Sequence, residues 1–235
     1  RCKRWLEMFS AGKANVEDGG RSECVRQTRV ALESAKVKLM LSKMEAAGCS
    51  VPLDTFFKCR PCAPNEGIAG QFVMGAERPK HIVLCEDTMQ KFNLSQELVT
   101  RTVLHELVHA YDACRANVDW KNCMHVACSE VRAAHLSGDC GFKNEFNRNQ
   151  FGVKAQGEKC VRRRAELSVA GHPHCKTIAK AAVDRVIEPC MADRSPFLKA
   201  FELPSQPVTA KAEDATAGKA SSESPKAPGS PGSSD

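Results

Sequence analysis

Two histidines four residues apart, with a glutamate directly after the first, are the residues of this chain best placed to do chemistry: His105-Glu106-Leu107-Val108-His109. On an α-helix, positions four apart stand one turn above each other on the same face, so His105 and His109 can offer two imidazole nitrogens to one metal ion. Glu106 lies about 100° further round the helix, within reach of a water at that metal without being a ligand. This is the His-Glu-x-x-His pattern of zinc peptidases, with the glutamate as general base. By chance it would arise in roughly one or two of every hundred shuffles of this composition, so its surroundings must decide. Val99, Val103, Leu104, Leu107 and Val108 put apolar surface around most of the stretch. A buried helix carries His-Glu-His only where each polar group has a partner, which favours a metal.

A hydrolytic zinc site takes three protein ligands and leaves one position open. The longer motif with a third histidine requires Gly and His where this chain has Asp112 and Arg115, so a metzincin is excluded. The remaining donors lie in a second helical stretch over 123–136, namely His125, Glu130 and His135. His125 and Glu130 are five apart, about 140° round a helix, so only one of them can face the metal. Glu130 is favoured. Val126, Ala127, Val131, Ala133 and Ala134 place its helix in the core beside the first, and a buried carboxylate there wants a cation. His125 stays open as the alternative. A glutamate some twenty residues after the second histidine is also how gluzincins complete their site. In the resulting chemistry, zinc acidifies a water and Glu106 takes its proton, later returning it to the departing amine. Asp112 is a candidate to orient a ligand histidine and Tyr111 a candidate donor to the oxyanion, although a surface Asp and a core-edge Tyr are equally good readings.

The elements that must position these residues follow from the hydrophobic pattern. One helix is expected over 22–47, stopped by Gly48 and bracketed by Cys24 and Cys49. Strands are expected at Phe56-Phe57, 68–73 and 81–85, with turns over 64–67 and 75–80. An edge strand of such a sheet can hold a substrate extended through main-chain hydrogen bonds. The metal-site helix should start at the N-cap Ser95, with Glu97 in its positively polarised first turn, and run to about Arg115. The second helix ends at Ser137-Gly138-Asp139, and further helices are expected over 144–151, 158–170 and 175–190. The expected class is α+β, a zincin-like metallopeptidase domain of gluzincin type with a small sheet before the active-site helix and a helical C-terminal half. The expected divisions are an N-terminal extension over 1–21, one metalloprotease domain over 22–202, and a low-complexity, disordered tail over 203–235 rich in Pro, Ser, Ala, Lys and Gly.

Composition narrows the setting. No window approaches the roughly eighteen consecutive apolar residues of a membrane span, so contact with a membrane would be from the surface. The net charge of +6 is modest, and its densest run, Lys159 to Arg164, reads as a solvated helix face. With no basic stripe or stacking platform, nucleic-acid binding is not expected. Thirteen cysteines, dispersed from Cys2 to Cys190, point to disulfides and an oxidising compartment; the odd number leaves at least one thiol free or paired between chains. Cys59-Arg60-Pro61-Cys62 has redox-site spacing, but no second close pair follows to complete a zinc knuckle, so a structural cystine role is the better reading. The chain begins at Arg1 with no apolar signal segment.

Three blocks carry a family resemblance: His105 to Asp112, Val118-Asp119-Trp120, and His125 to Ala134 followed by Leu136 to Cys140. Together they resemble the mitochondrial inner-membrane metalloproteases that process ATP synthase subunit 6 and assist ATP synthase assembly, over about residues 24–190. The resemblance implies zinc, His105 and His109 as zinc histidines and Glu106 as the catalytic residue. It further implies a location in the intermembrane space, peripheral on the inner membrane, and the subunit 6 precursor as peptide substrate. A non-catalytic assembly chaperone on the same fold is the alternative it leaves. Cys24, Cys49, Cys59, Cys62, Cys85, Cys114, Cys128, Cys140, Cys160 and Cys190 fall where that pattern has cysteines, whereas Cys2, Cys123 and Cys175 depart from it. His135 stands where the pattern has Asn, which makes it a poor ligand candidate.

Overall fold

The computed structural model describes residues 22–62, 68–76, 79–141 and 156–197. The expected extension over 1–21, the turn at 64–67, the helix at 144–151, the tail from 203 and Cys2 lie outside the described residues. The chain opens with α1 (Glu23–Leu32) and α2 (Ala35–Ala46), then a one-turn α3 (Leu53–Phe56) leading into β1 (Phe57–Arg60). Next come β2 (Gly70–Met74), β3 (Pro79–Cys85) and the short α4 (Glu86–Lys91). The second half is helical: α5 (Gln96–Arg115), α6 (Cys123–Leu136), α7 (Gln156–Gly171), a 3-10 turn (Lys176–Ile178) and α8 (Ala179–Ala192). The architecture is thus mixed α+β and mostly helical, with one three-stranded sheet ahead of the metal-site helix.

Three expectations are corrected. The single helix over 22–47 is two helices, Glu23–Leu32 and Ala35–Ala46. The chain breaks at Ser34, whose extended backbone interrupts the helical repeat and puts it at the N-cap position of α2, a place serine favours over a helix interior. Phe56 closes a helical turn begun at Pro52, whose carbonyl accepts from the Phe56 N–H at 2.8 Å, and the strand starts at Phe57. The last helix begins as a 3-10 turn and becomes α-helical only at Ala179. As expected, α2 is terminated at Gly48, whose φ of +84° is one that side-chain-bearing residues rarely adopt.

The sheet has the order β1-β3-β2, with β1 parallel and β2 antiparallel to β3. Its central strand is the apolar one: Ile82, Val83, Leu84 and Cys85 are fully buried. Helix α5 lies against α1, α2, β2 and β3 on one side and α6 on another. Its start is tied down by side-chain amides: Gln27 donates to the Leu94 carbonyl and Gln96 to the Gln27 carbonyl, each at 2.9 Å. One apolar cluster joins α1, α2, the sheet and α5, while a second joins α6, α7 and α8. Helix α6 serves both, sending Ala133 and Leu136 into the first and Val126, Ala127, Val131 and Ala134 into the second. Its position is therefore fixed from two sides.

Six disulfides brace this arrangement: Cys24–Cys59, Cys49–Cys114, Cys62–Cys85, Cys123–Cys175, Cys128–Cys190 and Cys140–Cys160. Cys59 and Cys62 are both structural cystines, but of different bridges. Cys123 and Cys175, the two departures inside the described residues, are each other's partners.

Candidate metal centre

Ser95 caps α5, its hydroxyl accepting from the Leu98 N–H at 3.3 Å, and Glu97 lies in the first turn. Val103, Leu104, Leu107 and Val108 are buried, which leaves one face for His105 and His109, whose ring centroids are 4.9 Å apart. Asn122 caps α6, accepting from the Met124 N–H at 2.9 Å, and two turns later the helix presents Glu130 to the same face. His105 Nε2 stands 3.4 Å from Glu130 Oε2 and His109 Nε2 stands 3.6 Å from Glu130 Oε1. All three residues offer donor atoms within 4.8 Å of one another.

This donor set fits a zinc ion. Ligands of a tetrahedral zinc lie about 3.4 Å from one another, and the two histidine nitrogens stand 3.4 and 3.6 Å from the nearer Glu130 oxygens. Glu130 Oε2 is also shut off from solvent and accepts no hydrogen bond of ordinary geometry, the state of an oxygen that a cation would satisfy. Electrostatics agree with that. Burial would raise the Glu130 carboxyl, but the His109 and His105 imidazoles outweigh it and hold it at about 2. Burial disfavours the charged form of His105, yet the Glu130 and Glu106 carboxylates beside it raise it above the usual imidazole value. Burial raises the Glu106 carboxyl, against the pull of His105 and His109.

Glu106 sits under the sheet. Gly70, which opens β2, leaves the room it needs: a Cβ there would stand 2.7 Å from Thr102 Cγ2 and 3.1 Å from Glu106 Cγ and Oε1. The Phe72 main chain faces the Glu106 carboxylate and slightly offsets the effect of burial on it. Phe72 and Trp120 flank the far side of His109, with centroids 6.4 and 6.2 Å from its ring. A groove of about 530 Å³ opens on His105 and Glu106, walled by Gly70, Leu94, Leu98 and Leu167 among others.

Other candidates are placed elsewhere. His125, at the exposed start of α6, accepts from the Asp119 N–H at 3.0 Å and is not in the group. It lies more than one turn before Glu130 on a helix that already begins at Cys123, so the two cannot share a face. His135 is also outside the group; burial, with Arg194 and Arg132, lowers its pKa. The Tyr111 hydroxyl is taken by Ser195 Oγ at 2.9 Å on the core side of α5, which corrects its candidacy as an oxyanion donor. Asp112 does face the site's support: its Oδ2 accepts from Ser129 Oγ at 3.1 Å, and Ser129 Oγ lies 2.8 Å from His109 Nδ1. Ser129 and Arg132 are the residues that sequence reasoning missed. Arg132 did leave a signal, as a lone cation in the small apolar run Val131-Arg132-Ala133-Ala134; Ser129 left none.

A family model described as the peptidase M76 family matches residues 2–198. The chain belongs to the peptidase M76 family. The M76 match spans both helices of the centre and the sheet before them. Relatives agree with it. The mitochondrial inner membrane protease ATP23 homolog of Homo sapiens is 46% identical over 68% of this chain, and that of Xenopus laevis 40% identical over 74% of it. Mitochondrial inner membrane protease atp23 of Schizosaccharomyces pombe is 32% identical over 77% of this chain and 94% of its own length. The aligned part spans 63% of the Homo sapiens protein and 72% of the Xenopus laevis one. No solved structure matches the chain. No helix among the described residues is long and apolar enough to cross a membrane.

Proposed function

We propose that this M76 chain is a zinc-dependent endopeptidase of gluzincin type, carried by a domain over 22–202, with His105, His109 and Glu130 as zinc ligands and Glu106 as general base. The observation that carries the reading is the convergence of two imidazoles and one buried carboxylate from α5 and α6, with Glu106 beside them under β2. Bound zinc would supply a Lewis acid that makes water acidic near neutral pH and withdraws charge from a peptide carbonyl. Glu106 takes the proton from the attacking water and returns it to the departing amine. Burial raises its carboxyl, which suits a group that must both accept and release a proton. Among the described residues β2 pairs with β3 alone, so its other edge offers main-chain hydrogen bonds to an extended peptide. The groove beside His105 and Glu106 would receive that peptide's side chains.

The names of the relatives support a mitochondrial inner membrane setting, and the disulfides support an oxidising one, the intermembrane space with peripheral attachment. The substrate this reading assigns is the precursor of ATP synthase subunit 6, with a further role in assembly of the ATP synthase membrane sector. Glu106→Gln should lower peptide cleavage by at least about 10²-fold while zinc stays bound. Cleavage at the wild-type rate by that variant would sink the catalytic reading. Normal assembly supported by an inactive variant would assign assembly to the chaperone role.

A further inference from the structure

We infer that Ser129 is a positioning residue for His109: it accepts the imidazole Nδ1–H and passes its own hydroxyl hydrogen to Asp112, whose carboxylate Arg132 holds in place. The inference rests on the reading of His109 as a metal ligand through Nε2.

Hydrogen-bond direction follows from the partners. An ionised carboxylate can only accept, so at 3.1 Å from Asp112 Oδ2 the Ser129 hydroxyl must donate. Its oxygen then has only lone pairs to offer His109 Nδ1 at 2.8 Å, so Nδ1 carries the proton. The ring is thereby fixed as the tautomer whose Nε2 is bare, and it is Nε2 that faces Glu130. The same chain prevents rotation of the ring about its Cβ–Cγ bond.

Asp112 is able to direct this chain because it is itself immobile. It is buried, as are Ser129 and Arg132. Arg132 Nε donates to Asp112 Oδ1 and Oδ2 at 3.0 and 3.1 Å, and Arg115 Nε donates to Oδ1 at 3.0 Å. The rest of the Arg132 guanidinium is taken up beyond α8: it bonds the Asp193 carbonyl, stands 2.8 Å from Asp193 Oδ2, and donates to the Ser195 carbonyl at 2.5 Å. Two guanidiniums, Arg115 and Arg132, are thus shared between two carboxylates, Asp112 and Asp193. A purely structural role would use this network only to pin residues 193–195 against α5 and would leave the metal indifferent to the Ser129 hydroxyl.

The test uses the full chain. Zinc affinity is measured by chelator competition for wild type and Ser129→Ala, with the visible spectrum of the cobalt-loaded forms and the melting temperature of the metal-free forms. Ser129→Ala should bind zinc about 10- to 100-fold more weakly and shift the cobalt bands. Unchanged affinity and spectrum, whatever the melting temperature, would overturn the inference. A second measurement does not need the variant to fold. In zinc-loaded wild type labelled with ¹⁵N-histidine, the His109 ring should carry its proton on Nδ1, whereas a proton on Nε2 overturns the proposal. Wild type that binds no zinc would instead remove the metal reading on which it stands.

Discussion

At the scale of single residues, the centre is an electrostatic compromise that a metal ion would resolve. Glu130 and His105 face each other at 3.4 Å. The Glu130 carboxyl is held at about 2, below the ordinary 4.5, and His105 is raised above its ordinary 6.5. A carboxylate depressed on folding stabilises above its unfolded value, and that contribution is lost as pH falls through the folded one. An imidazole raised on folding stabilises below its unfolded value and loses that contribution as pH rises through the folded one. In the metal-free protein the pair is therefore worth most between 4.5 and 6.5. Urea unfolding of metal-free wild type and Glu130→Gln should show the variant's deficit largest in that window and shrinking on either side. A deficit that does not vary with pH would mean that the pair contributes nothing.

At the scale of elements, two packing contacts decide whether the residues meet. One is α5 on α6, which brings Glu130 to the histidines; α6 is held there because it lends residues to both apolar clusters. The other is β2 on α5, where Gly70 permits an approach that no side chain would. Gly70→Ala would drive its Cβ into Thr102, a β-branched side chain with little freedom to move, and into Glu106. The strand must then lift from the helix, at a cost of about 1–3 kcal/mol. If Glu106 is the general base proposed above, peptide cleavage should fall by roughly tenfold or more, because its carboxylate loses its alignment, while zinc affinity stays near wild type. Full activity in Gly70→Ala would show that β2 has no part in placing Glu106.

At the scale of the whole molecule, the covalent bracing is divided. Three disulfides fall within residues 24–114 and three within 123–190, and among the described residues none links the two sets. Across that division run the α5–α6 interface and the ion pairs Arg132–Asp112 and Arg115–Asp193. Each set can therefore be tested separately. Replacing Cys123 and Cys175 together by serine should cost about 2–4 kcal/mol of stability and leave peptide cleavage within about twofold of wild type, since both lie away from the groove and the metal centre. A loss of activity larger than the loss of stability explains would show that the start of α6 is part of the working site.

The sequence alone determined the local features. The His-Glu-x-x-His spacing, the Ser95 cap, the extent of α6 and the stop after Leu136 depend on helical periodicity and on capping chemistry within a few residues, and both survive folding unchanged. That Glu130 and His125 would not both join the histidines was also legible, because they lie about 140° apart round a helix, and the apolar residues around Glu130 marked it as the one on the packed side. Features that depend on residues distant along the chain were decided by tertiary structure. The break between α1 and α2 at Ser34 was not legible in the apolar pattern, which runs on through it. The cysteine pairing, including Cys123 with Cys175, is set by proximity in the folded chain and not by spacing along it. Ser129 became visible only once α6 lay under α5, twenty residues away from the ring of His109 along the chain and 2.8 Å from it in space.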